Sequence, residues 1–184
     1  CTVTANIPEG TFEANTSDVT MEVGYVAADT TEQIKALMEK SIADDKMLGE
    51  YFMYDVKFKV NGEQVEPGKE IQITFEPNSF QVKDTKKAVI FYYNEANSPA
   101  GNTEAELVGI TQRADKIQEL QNAGQSIDAV DDYDLSEISL REDGSAEKVM
   151  MEGRRSTVYG CYLVEEKPVE PDEKESVESK EENI

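Results

Sequence analysis

The sequence contains no histidine. That removes the commonest general base, the usual partner of nucleophilic serine or cysteine, and the imidazole ligand of most catalytic zinc sites. Positive charge is scarce as well: 18 Lys and Arg stand against 39 Asp and Glu, a net charge of −21. Such a chain repels polyanions, which excludes nucleic-acid binding and recruitment to an anionic membrane surface. No apolar run approaches the roughly 20 residues of a helical membrane span, so no membrane insertion is expected. No charged-then-apolar signal segment opens the chain, and it reads as a mature fragment. Cysteine is limited to Cys1 and Cys161.

What the sequence does have is alternation with a period of two. TVTANI (2–7), VTMEVGYV (19–26), MYDVKFKV (53–60), EIQITF (70–75), AVIFYY (88–93), EISL (137–140), KVMME (148–152) and STVYGCYLV (156–164) are β-branched or aromatic and mostly alternate apolar with polar. Turn chemistry punctuates them: Pro8 and Gly10 stop the first, Asn61-Gly62 follows the third, and Asp143-Gly144 separates EISL from KVMM. The order suggests antiparallel pairing rather than βαβ units. Two segments break the rhythm. In 29–45, Ile34, Leu37, Met38 and Ile42 recur at helical spacing behind a Thr30 or Thr31 cap. In 113–126, Ile117 and Leu120 do the same before a Gly124 stop.

These elements predict a mainly β protein, an antiparallel β-sandwich of immunoglobulin-like scale with one or two inserted helices, over residues 1–164. Residues 165–184 carry nine acidic and three basic side chains, two prolines and no aromatics. So little burial is available there that the segment reads as an extended, solvated linker.

The opening Ile7-Pro8-Glu9-Gly10-Thr11-Phe12, a short polar gap and a strand, followed by a helix and YDVKFKVNGEQVEPGKEIQITF (54–75), resembles a module of large cell-surface proteins of gut Firmicutes. The closing STVYGCYLV is similar to that module's final strand, and the proline-glycine opening is similar to the start of ZU5-type β-sandwiches. The resemblance covers roughly residues 2–164 and lies in strands and turns, not in a catalytic motif. It implies an extracellular, wall-displayed, adhesin-like building block, monomeric, with neighbouring domains of its own chain and a host protein or glycan as partners. ZU5-related autoproteolysis uses a histidine-containing site, so self-cleavage is not carried over.

Chemistry could reside in a few places. Asp128, Asp131, Asp132, Asp134 and Glu137 put several carboxylates within ten residues, as a hard cation requires. A calcium site at Asp131, Asp132 and Asp134 competes with a plain solvated acidic loop, and the spacing lacks the EF-hand pattern and its central glycine. No other cofactor is expected. Paired carboxylates for glycoside hydrolysis cannot be singled out among 39 acids. The aromatic trios Tyr51, Phe52, Tyr54 and Phe91, Tyr92, Tyr93 offer a sugar-stacking platform, but alternation sends half of each trio into the core.

An isopeptide bond at Lys57 or Lys59 needs a buried lysine, whereas both share the strand face opposite Val56, Phe58 and Val60. A thioester would need Cys161 beside a glutamine such as Gln72. Cys1 and Cys161 leave three readings open: a disulfide clasping the terminal strands, a buried free thiol with Cys1 at a boundary, or Cys1 as a lipoprotein's lipidated residue. The composition and resemblance together predict a non-enzymatic structural or binding module contributing to adhesion. The alternative is a carbohydrate-binding or covalent-adhesion domain.

Overall fold

The computed structural model describes residues 1–12, 18–96 and 104–168. The strands are β1 (Thr2–Asn6), β2 (Val19–Gly24), β3 (Lys46–Val60), β4 (Glu63–Gln64), β5 (Ile71–Glu76), β6 (Ala88–Asn94), β7 (Glu106–Gly109), β8 (Ser136–Leu140), β9 (Ala146–Gly153) and β10 (Thr157–Glu166). The helices are α1 (Ala28–Ser41) and α2 (Arg113–Asn122), with short 3-10 turns at Thr85–Lys87 and Ile127–Asp132. One sheet runs β1-β5-β9-β8; the other runs β2-β3-β10-β6-β7, with β4 folding back on β3. Every strand pair in both sheets is antiparallel. The fold is the β-sandwich with inserted helices that the alternation predicts.

The sheets face one another across Val56, Phe58, Ile73, Phe75, Val149, Met151 and Cys161, none with exposed surface. β10 lies at the centre of the second sheet and is covered on both faces. Tyr159, Cys161 and Leu163 point into the sandwich, while Val158 and Tyr162 meet α1 on the outside. That double covering explains why STVYGCYLV is nearly all apolar while the one-sided strands alternate. α1 docks on this outer face through Ile34 and Met38, both fully buried, with Leu37 and Ile42 half-buried beside them. Leu120, Val130 and Leu135 form a separate small cluster beneath α2.

Boundaries differ from the expectation at several points. α1 begins at Ala28, because Thr31 N–H bonds to Ala27 O at 2.8 Å and fixes the first turn ahead of the expected threonine cap. It ends at Ser41, where Ile42 turns to extended backbone. α2 stops where expected: Gly124, at φ +70°, lets Gln125 N–H reach Leu120 O at 2.9 Å and Gly124 N–H reach Gln121 O at 3.1 Å, a Schellman ending. β3 starts seven residues before the expected MYDVKFKV. Its Gly49 reads as a breaker in sequence but lies in a bulge opposite β10, where a Cβ would meet the Glu165 side chain at 2.7 Å. β7 and β4 had no strand signal. β10 runs to Glu166, so the expected boundary at 164/165 falls inside a strand; residues 169–184 of the expected linker lie outside the described residues.

Candidate functional site

The acidic run does not assemble into a cation site. Asp131 lies 3.6 Å from Arg113 and Asp134 3.9 Å from Arg154, while Asp132 is exposed on the 3-10 turn. Glu137 shares Arg113 at 3.9 Å. Among the described residues no three His, Cys, Asp or Glu side chains gather to hold a metal ion. Arg113 holds Asp131 and Arg154 holds Asp134, so the two carboxylates turn to different arginines.

Nor are the cysteines joined. Cys1 is exposed and free, and Cys161 is free and fully buried. The premise of the clasp fails on topology: β1 is an edge strand of one sheet, paired with β5, whereas β10 is the central strand of the other. Burial pushes the Cys161 thiol pKa well up. Gln72, its candidate thioester partner, is exposed on β5 in the opposite sheet. Lys57 and Lys59 pair instead with Asp55 at 3.6 Å and Glu22 at 2.9 Å, on the face away from buried Val56 and Phe58, so neither lysine lies in a core.

A polar cleft of about 680 Å³ opens beside the β9–β10 turn, between β3, β4, the end of β6 and the start of α1. Its polar groups bind one another. Ser156 Oγ accepts from Phe58 N–H at 2.9 Å and donates to Val65 O at 3.1 Å, while Ser156 N–H donates to Glu66 at 3.0 Å. Tyr159 O–H donates to Arg155 O at 2.6 Å; burial raises this phenol's pKa strongly. Arg155 donates to Asn94 at 3.3 Å and covers the Tyr92 ring. Tyr93 O–H reaches Gln33 on α1 at 3.3 Å, and burial with nearby Glu95 raises its pKa. The cleft is a knot that ties the β9–β10 turn to its neighbours, with charges of both signs on its walls.

The aromatic trios divide. Phe91 and Tyr93 are buried against α1 and Tyr92 lies against Tyr159, 6.3 Å between centroids, so this trio is packing. Phe52 and Tyr54 pack on Phe75 from one side, at 5.5 and 5.9 Å, yet also border a shallow groove of about 530 Å³. The groove runs along β3 from Gly49 to Tyr54, facing Pro77 to Phe80, with Cys1 at its rim. Tyr51 borders the groove on β3, but as the register partner of Tyr162 it turns its ring to the opposite, α1-facing side of the sheet; Tyr25, just beyond the groove, stands 91% exposed with its ring 6.2 Å from Tyr54. The alternation places Tyr25 inside a strand over 19–26, on the face of Met21 and Val23; β2 instead ends at Gly24 and leaves the ring exposed.

Searches of protein-family models, of curated proteins and of solved structures return no match to this chain.

Proposed function

We propose that the chain is a non-enzymatic binding and display module of a multidomain bacterial cell-surface protein. The observation that carries this reading is the use made of the polar side chains. Around the 680 Å³ cleft they are spent on joining strands, whereas in the open groove along β3 the side chains of Asn78 and Ser79 stand beside aromatic rings without hydrogen-bond partners among the described residues. That division suits a rigid body that presents a contact surface. The absence of histidine and the resemblance of residues 2–164 to wall-displayed modules point the same way. No helix among the described residues is long and apolar enough to cross a membrane.

Two measurements test the reading. Antibody against the domain should label intact, unpermeabilised cells of the source bacterium; label only after permeabilisation overturns the surface assignment. The full chain, incubated with panels of glycoside, ester and peptide substrates, should give no turnover above a heat-denatured sample. Turnover in any panel overturns the non-enzymatic assignment.

A further inference from the structure

We propose that the groove along Gly49–Tyr54 binds a neutral saccharide unit, an inference that rests on reading the chain as a binding module. Four features of the groove converge. Its aromatic wall is braced and extended: Tyr54 stacks on core Phe75 at 5.9 Å and 17°, and Tyr25, just beyond the groove lining, is 91% exposed with its ring 6.2 Å from Tyr54. A ring so exposed contributes little to folding, but its face is a ready partner for the apolar C–H face of a pyranose.

Polar groups are also left without protein partners here. The hydroxyls of Tyr54 and Ser79 and the amide of Asn78 make no hydrogen bond among the described residues, and Glu50 accepts only a 3.4 Å contact from Gln81 N–H. Together they supply donors and acceptors at short spacing, which a polyhydroxylated ring matches and a hydrocarbon does not.

The backbone adds to them. β2 pairs with β3 only from Asp55 to Val60. On that side Tyr51–Tyr54 meets no strand among the described residues, so main-chain N–H and C=O groups line the groove. The bulge at Gly49 and Glu50 interrupts this edge. Only four flat residues remain, ~13 Å of strand. That is short for the ladder of an added peptide strand but spans one or two sugar rings. Charge selects among sugars: with Glu50 in the groove and −21 on the chain, sialylated or sulfated glycans are repelled and neutral ones are not.

The test is a titration of the full chain, followed by NMR chemical shifts, with mannobiose, cellobiose, xylobiose and N-acetyllactosamine, and with sialyllactose and a heparin disaccharide as anionic probes. At least one neutral disaccharide should give saturable shifts at Tyr25, Tyr51 and Asn78, and the anionic probes should give none. Tyr25→Ala, at a position whose exposure leaves the fold intact as checked by thermal melting, should weaken binding about tenfold, the scale of losing one stacked ring. Asn78→Ala should weaken it by a similar factor. The proposal is overturned if no neutral disaccharide saturates, if the shifts map elsewhere, if neither variant weakens binding, or if an extended Thr/Val peptide binds the same residues more tightly than any sugar. Failure here leaves the surface labelling and the substrate panels unaffected, so it is distinguishable from failure of the binding-and-display reading.

Discussion

Cys161 sits in the middle of a strand covered on both faces, and burial alone raises the pKa of its thiol; Cys1 is exposed at the rim of the other sheet. Because the thiolate is the reactive form, the two should behave as different species. Native protein is expected to release one thiol equivalent rapidly to a disulfide reagent, and the second only on unfolding. No thiol in the denatured, unreduced protein would mean that the termini are bridged after all. Glu152, half-buried on β9, makes a second residue-scale case. Burial raises its pKa, and a backbone hydrogen bond at Leu135 only partly opposes the shift. With the folded value above the unfolded one, the native state holds this proton more tightly, so the group costs stability once the pH is above both values. The cost vanishes below the ordinary carboxylate value, about 4.3, where both states are protonated. Glu152→Gln should therefore raise Tm at pH 7 and leave it unchanged near pH 3, the second being the control that assigns the gain to charge. An equal gain at both pH values would assign it to packing.

At the scale of elements, α1 is the piece whose attachment can be weighed directly. Ile34 and Met38 have no exposed surface and face Phe91, Val158 and Tyr162, while Leu37 is half-buried at the margin. Met38→Ala should cost about 2–4 kcal/mol and Leu37→Ala clearly less, by urea denaturation. Equal losses would mean the helix is rolled toward Leu37. The spacing of Ile34, Leu37, Met38 and Ile42 made this helix legible, as period-two alternation made eight of the ten strands legible. The first half of β3 was not. Its sequence KMLGEYF neither alternates nor avoids glycine, because a bulge there shifts the pairing with β10 and Glu165 occupies the space over Gly49. The candidate groove was half legible for the same reason. Tyr51, Phe52 and Tyr54 stand out as aromatics, but their exposure depends on β2 ending at Gly24, a tertiary fact that local pattern does not carry. The aspartates of 128–134 advertise a cation site by composition alone, whereas Asp131 and Asp134 turn to different arginines and no three carboxylates gather among the described residues.

For the whole molecule the governing quantity is charge. An excess of 21 negative charges is distributed over a chain whose ion pairs are partly exposed, such as Lys59–Glu22 at 2.9 Å and Arg113–Asp131 at 3.6 Å. Exposed pairs of this kind contribute roughly 0–1 kcal/mol each and are weakened by salt. Repulsion among the unpaired carboxylates is also weakened by salt, and by its number of charges it is the larger of the two effects. Raising NaCl from about 10 mM to about 1 M shortens the screening length from ~30 Å to ~3 Å. Tm should therefore rise across that range, and a fall would show that the ion pairs dominate. Divalent cations sharpen the test. If the acids act only as a diffuse field, calcium and magnesium at equal ionic strength should raise Tm alike, because screening depends on charge and not on ligand geometry. If Asp131, Asp132 and Asp134 close around an ion on binding, calcium should give an additional, saturating increase, since it accepts the irregular oxygen sets that magnesium rejects. The 3.6 and 3.9 Å arginine contacts of Asp131 and Asp134 must break for that to happen, so equal calcium and magnesium curves are the expected outcome.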